Sequence, residues 1–103
     1  MVILFVCNQG KHRSRTACDM FGGQYCGIYS ESHPVTAELL NEANTIVVME
    51  NIQREWIGEH FPKAYLAKRI VCLDIPDIYS HGQDKLKRLL TEKSHLWQER
   101  KFR

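Results

Sequence analysis

The segment Val2-Ile3-Leu4-Phe5-Val6-Cys7-Asn8-Gln9-Gly10-Lys11-His12-Arg13-Ser14 decides how the rest of the chain is understood. Its first five residues form a short, continuously apolar run rich in branched side chains, which predicts a strand covered on both faces. A polar turn centred on Gly10 follows, and from Ser14 the positions of Ala17, Cys18 and Phe21 fit one face of a helix ended by Gly22-Gly23. A cysteine thus closes a buried strand, an arginine comes six positions later, and a serine opens a helix.

Outward from this segment the pattern repeats. Residues 25–29 suit a second short strand, and Ser30-Glu31-Ser32 a loop. Pro34 suits a helix first turn, with Val35, Leu39, Leu40 and Ala43 spaced for one face. Thr45-Ile46-Val47-Val48-Met49 is the clearest strand after the first. Asn51 is a candidate cap for a helix carrying Ile52, Trp56 and Ile57, with Pro62 beyond its end. Arg69-Ile70-Val71-Cys72-Leu73 is a fourth strand. Residues 74–79 form a loop, because Pro76 cannot continue a central strand. From about Gln83, residues Leu86, Leu89, Leu90, Leu96 and Trp97 define a last amphipathic helix.

Four strands alternating with helices predict an α/β fold in three layers, a four-stranded parallel sheet with helices on both faces and right-handed crossovers. In such sheets ligands gather at the carboxyl ends of the strands. The 7–13 turn and the 74–79 loop both follow strands, so they are expected at one edge of the sheet. Neither repeats nor a linker divide residues 1–103, so one domain is expected.

Bulk composition narrows the function. A chain of 103 residues with 44% hydrophobic content can bury one core. A formal net charge of +2 is too small a bias to imply nucleic acid. The tail is more basic, with Lys93, Arg100, Lys101 and Arg103 against Glu99, and is expected to be a solvated helix end. No apolar run approaches the ~20 residues of a membrane span, and the first run lacks the basic flank of a signal peptide. A cytoplasmic chain with no membrane partner is expected. Cys7, Cys18, Cys26 and Cys72 show no zinc-type spacing, so reduced thiols and no metal or cofactor are expected. Cys18, Cys26 and Cys72 suit small core positions.

The chemistry lies in the first turn. Successive backbone N–H groups ahead of a helix form a concave anion site, to which Asn8, Gln9, Gly10, Lys11, His12 and Ser14 contribute. Gly10 permits a left-handed conformation there. The planar fork of Arg13 suits two oxygens of a phosphate. Cys7 lies at the base, where the helix N-terminus and Arg13 favour a thiolate and Ser14 is placed to donate to the sulfur. A thiolate facing a phosphate ester is a nucleophile that forms a phosphocysteine. The leaving group then needs a proton, and the second loop offers Asp74 and Asp77. Asp77 is preferred, being further from the strand end and stiffened by Pro76. Tyr79 is a candidate wall of the pocket.

Cys7-Asn8-Gln9-Gly10-Lys11-His12-Arg13-Ser14 resembles the phosphate loop of the low-molecular-weight protein tyrosine phosphatases. Thr16-Ala17, Val47-Val48-Met49-Glu50 and Asp74-Ile75-Pro76-Asp77 are similar to segments of a short-chain branch of that family. The resemblance implies a phosphatase I-like fold, a nucleophile at Cys7, a phosphate-binding Arg13, an aspartic acid catalyst and no metal. The family's acid opens Asp-Pro-Tyr, and Asp77-Ile78-Tyr79 keeps the aspartate and tyrosine at that spacing. Gly10 stands where the family commonly has asparagine, His12 where it has a second cysteine, and Arg15 where it has proline. The expected function is hydrolysis of phosphoric monoesters, with a phosphotyrosine protein as one candidate substrate.

Two kinds of alternative share the loop: a different reaction, and binding without turnover. Val6-Cys7-Asn8-Gln9-Gly10 also resembles the phosphocysteine loop of sugar-transport phosphotransferase subunits, but those lack an arginine at the position of Arg13. Thiol-dependent arsenate reduction would require further cysteines in mobile segments, and Cys72 is expected within a strand. A non-catalytic module that holds a phosphorylated partner would use the same cradle without turnover.

Overall fold

The computed structural model describes residues 2–98. Four strands, β1 (Ile3–Cys7), β2 (Gln24–Gly27), β3 (Thr45–Val48) and β4 (Arg69–Cys72), form one parallel sheet in the order β2-β1-β3-β4. Between them lie α1 (Arg13–Phe21), α2 (Ala37–Glu42), α3 (Asn51–His60) and α4 (Pro62–Ala67). After β4 come α5 (Asp84–Lys93) and a 3-10 turn, Ser94–Leu96. The expected three-layer arrangement is present.

Strand alternation divides the core into two clusters. Leu4, Val6, Cys26, Ile46 and Val48 face one way and pack with Leu40, Ala43 and Ile57 from α2, its C-terminal flank and α3. Phe5, Cys7, Val47 and Met49 face the other way and pack with Ala17, Leu86, Leu90 and Trp97. Trp97 meets Phe5 and Phe21 edge-to-face, with ring centroids 5.5 and 5.1 Å away. So α1 and α5 cover the face toward which the Cys7 side chain points.

Because β1 has β2 on one side and β3 on the other, the chain direction across the sheet reverses at β1. The crevice at such a switch point lies at the carboxyl ends of the strands. Cys7 ends β1 and Glu50 follows β3, so both stand there.

Several local expectations need correction. The second strand ends at Gly27, not at residue 29. Pro34 is not in a helix first turn: it forms a parallel bridge with Gly27, and Thr36 caps α2 by accepting from the Leu39 N–H at 3.1 Å. Glu50, not Asn51, caps α3, in a reciprocal capping box with Gln53. Ile57 is buried and Trp56 packs against the core as expected, but Ile52 is exposed and Gln53 is buried in its place. Pro62 lies beyond the end of α3 as expected, and it also starts a further helix, α4, that was not expected, since a missing N–H costs nothing at a helix's first position. Of the basic tail, residues 99–103 lie outside the described residues. Among the described residues, no helix is long and apolar enough to cross a membrane.

Candidate active site

The turn after β1 is pinned by the strands on either side. The Ile28 N–H donates to Cys7 O at 3.0 Å, the Tyr29 N–H to Asn8 O at 2.8 Å, and the Met49 N–H to Val6 O at 3.0 Å. Gly10 adopts φ 67°, the left-handed conformation expected of it. Its partner in close approach is Gly27, where a Cβ would stand 2.4 Å from Gly10 N and 2.6 Å from Asn8 O. The turn can therefore fold down onto the end of β2 only because both positions lack side chains.

Cys7 is buried in this cradle with two polar neighbours. The Gly10 N–H donates to Cys7 Sγ at 3.2 Å, and Ser14 Oγ lies 3.0 Å from the same sulfur. The Ser14 hydroxyl is also 3.3 Å from Cys26 O. It can therefore accept from a thiol while donating to that carbonyl, or turn its proton to a thiolate.

Arg13 is 1% exposed and held from three directions. Its Nη1 donates to Glu50 Oε1 at 2.5 Å and to Ile75 O at 2.8 Å, while Nη2 lies 3.6 Å from Asp77 Oδ2. Nε and Nη2 are buried and have no hydrogen-bond partner among the described residues. Unmatched buried donors are costly, and on a guanidinium they form a fork suited to a tetrahedral oxyanion.

The 73–83 segment enters beside this fork. Leu73 and Ile75 are buried and tied to β3 by N–H bonds to Val48 O at 3.0 Å and Met49 O at 2.8 Å. Asp77 comes next to Arg13, as expected of the two loops. Asp74, at φ 56°, is turned back, its Oδ1 accepting from Cys72 Sγ at 3.4 Å. A cleft of about 560 Å³ beside the cradle is lined by Asn8, Glu50, Asn51, Ile52, Asp74, Pro76 and Asp77.

The backbone was compared with solved structures. The tyrosine phosphatase Wzb from Escherichia coli K30, in complex with phosphate, aligns with a TM-score of 0.76 at 20% identity over 93% of this chain and 94% of that one. The chain has the low-molecular-weight phosphatase fold. Two further structures agree. A low molecular weight protein tyrosine phosphatase from Bacillus subtilis gives 0.64 at 18% identity, over 93% and 96% of the two chains. The YwlE arginine phosphatase, a cysteine-to-serine mutant with a phosphorylated active-site serine, gives 0.67 at 19% identity, over 97% and 98%. No family model matches the chain, and no curated protein matches it in sequence.

On this low-molecular-weight phosphatase fold the remaining predicted residues separate. Gln9 and Lys11 are exposed and line a second cleft, of about 330 Å³, with Tyr29, Glu31 and Ser32. The His12 ring is exposed and accepts at Nδ1 from the His81 N–H at 3.2 Å. Tyr79 is half-buried against the cluster that contains Cys7. Asn8 Oδ1 accepts from Gln53 Nε2 at 2.7 Å, and Gln53 Oε1 in turn accepts from the Glu50 N–H.

The other cysteines differ from Cys7. Burial, with the nearby Cys7 second, pushes the Cys26 thiol up to about 12, so it stays neutral. Burial also raises Cys18 and Cys72, but both are only half-buried, which corrects the expectation of core positions. Glu50 and Gln53, which hold Arg13 and Asn8, were missed by sequence reasoning. The one available signal was a Glu-x-x-Gln capping pattern directly after a strand at the right edge of the sheet.

Proposed function

We propose that this protein is a cysteine-dependent phosphatase that hydrolyses phosphoric monoesters through a phosphocysteine on Cys7. One observation carries this reading: the buried Arg13 keeps Nε and Nη2 without a hydrogen-bond partner among the described residues, Nη2 only approached by Asp77 at 3.6 Å, at the end of a turn whose cysteine already receives an N–H from Gly10. A phosphate bound over Cys7 would give those donors their acceptors. Attack of the thiolate on phosphorus forms the S–P bond as the P–O bond to the leaving group breaks. The equatorial oxygens are stabilised by Arg13 and the loop amides of residues 8–13.

Asp77 is the acid in this scheme. Its carboxyl protonates the departing oxygen, and as carboxylate it later takes a proton from the water that attacks the phosphocysteine. Its 3.6 Å approach to Arg13 favours it over Asp74, which is bonded to Cys72. Ser14 stabilises the sulfur as the leaving group of the second step. A nucleophile that must remain a free thiol suits a reducing compartment such as the cytoplasm.

The exposed apolar side chains of Tyr29 and Ile52 line the two clefts that adjoin the phosphate turn. Together with the half-buried Tyr79 they favour an aryl phosphate, with a phosphotyrosine protein as the finer candidate. Lys11, exposed on the phosphate turn, disfavours a phosphorylated guanidinium, whose remaining nitrogens hold positive charge.

Turnover is the test. Purified protein is expected to hydrolyse p-nitrophenyl phosphate across about pH 5 to 7.5. Cys7→Ser abolishes turnover while leaving phosphate or vanadate binding measurable. Wild type no faster than Cys7→Ser, with phosphate still bound, would instead support a non-catalytic phosphate-binding module.

A further inference from the structure

The segment bearing Asp77 is anchored twice. The first anchor is the sheet, through Leu73 and Ile75. The second is a stripe on α1 and its N-cap. His12 Nδ1 accepts from the His81 N–H at 3.2 Å, Thr16 Oγ1 accepts from the Gly82 N–H at 2.9 Å, and Asp19 Oδ2 meets His81 Nε2 at 2.7 Å. Positions 12, 16 and 19 follow helical spacing and so share one face of the helix. Thr16 also donates to His12 O at 2.7 Å, which ties the end of the phosphate turn to the same stripe.

Between the anchors, residues 76–80 are mostly exposed, and the Ser80 N–H donates forward to Gln83 Oε1 at 3.0 Å. Within this span Asp77 Oδ2 lies 3.6 Å from Arg13 Nη2 and Tyr79 packs half-buried against the core, so the two ends act together with these contacts to place Asp77. The helix that starts at Arg13 therefore carries, one face over, the docking rail of the segment that carries the acid.

We infer that His12, Thr16 and Asp19 are positioning residues: by latching His81 and Gly82 to α1 they set the place of the Asp77 carboxyl over the phosphate turn. The inference rests on the phosphatase reading above and on Asp77 as its acid. The polarity of the latch is fixed. A backbone N–H can only donate, so His12 accepts with the Nδ1 lone pair and carries its own proton on Nε2. Asp19 accepts from His81 Nε2. His12 thus faces the acid-bearing segment and not the substrate, and its contribution to catalysis runs through Asp77.

The side chains of His81 and Asp19 lie at the surface, so their variants are expected to fold. The experiment measures kcat/KM for a series of aryl phosphates of rising leaving-group pKa, in wild type, His81→Ala, Asp19→Ala, Asp19→Asn and Asp77→Asn, with the pairwise combinations. General acid catalysis matters most for poor leaving groups. His81→Ala and Asp19→Ala should lose about tenfold on phenyl phosphate and less than about twofold on p-nitrophenyl phosphate. Asp19→Asn keeps an acceptor for His81 and should recover most of the loss. In the Asp77→Asn background, His81→Ala should add nothing, as expected of residues acting through one another. Losses equal across the series, or additive with Asp77→Asn, would overturn the inference.

Failure of the phosphatase reading is recognised separately, as wild type no faster than Cys7→Ser. The latch is then decided by amide exchange of residues 77–82. Faster exchange in His81→Ala supports it, and unchanged exchange overturns it.

Discussion

Arg13 Nη1 and Glu50 Oε1 are 2.5 Å apart, a charge-assisted contact between the first residue of α1 and the cap of α3. The two residues are 37 positions apart in sequence and meet because β1 and β3 are neighbours in the sheet. Glu50 occupies one edge of the guanidinium, and Ile75 O shares the same nitrogen. The fork that remains, Nε with Nη2, is turned by this pairing and not by Arg13 itself.

Glu50→Gln separates the two jobs of this side chain. Glutamine keeps an oxygen for the Gln53 N–H at the α3 cap but loses the charge that holds Arg13. The fold should lose less than about 1 kcal/mol, because the cap survives. Inhibition by phosphate should weaken about tenfold, since a mis-set guanidinium no longer offers two donors at once. Thermal melts alongside phosphate inhibition constants check this. Unchanged phosphate inhibition would mean that Arg13 is set without Glu50.

Asp77→Asn and Asp74→Asn should differ in kind. Asn cannot donate a proton to a leaving oxygen, so Asp77→Asn should lower kcat/KM for phenyl phosphate by about 10²-fold or more. Asp74→Asn should lose less than about threefold, its side chain being engaged by Cys72. The comparison is made under single-turnover conditions. A larger loss at position 74 would reassign the acid.

Gly27→Ala tests the close approach beneath the phosphate turn. The new Cβ would meet backbone atoms at 2.4, 2.5 and 2.6 Å, on Gly10, Gln9 and Asn8. Backbone cannot rotate away as a side-chain tip can, so about 2–3 kcal/mol of stability should be lost together with phosphate binding. Gly22→Ala is the control: nothing lies within 4 Å, and only its φ of 81° resists a side chain, at about 1 kcal/mol. Chemical denaturation of the two variants gives the ordering, and equal losses would contradict the clash.

Cys26 makes stability fall in alkali. Its folded thiol is pushed up to about 12 from an ordinary 9.0. Between those values the unfolded chain has released a proton that the folded chain still holds. Stability from this group is therefore complete below about pH 9 and declines as pH rises toward 12, by at most about 1.4 kcal/mol per pH unit. Urea midpoints of wild type should drop more steeply than those of Cys26→Ala between about pH 8 and 10.5. Parallel slopes would show that Cys26 ionises as freely folded as unfolded.

The architecture was legible because its strands are continuous apolar runs: residues 2–6 and 45–49 admit few other structures. The cradle was legible because Cys7, Gly10, Arg13 and Ser14 lie within one turn, where spacing in sequence is nearly spacing in space. Long-range contacts were not. Glu50 reaches Arg13, and His81 reaches Asp19 62 positions away, through sheet order and helix packing that no local pattern encodes. The extra helix α4 was hidden by Pro62, which ends one helix and starts another with equal ease. Ile52 misled because hydrophobicity suggested the core, whereas its place beside the cleft leaves it exposed.

The most direct test of the account is mass spectrometry of Asp77→Asn quenched in acid during turnover of p-nitrophenyl phosphate. With water activation slowed, a phosphoryl adduct should accumulate on the peptide carrying Cys7 and be absent from Cys7→Ser. Turnover with no adduct on Cys7, or an adduct on another residue, would contradict a phosphocysteine mechanism.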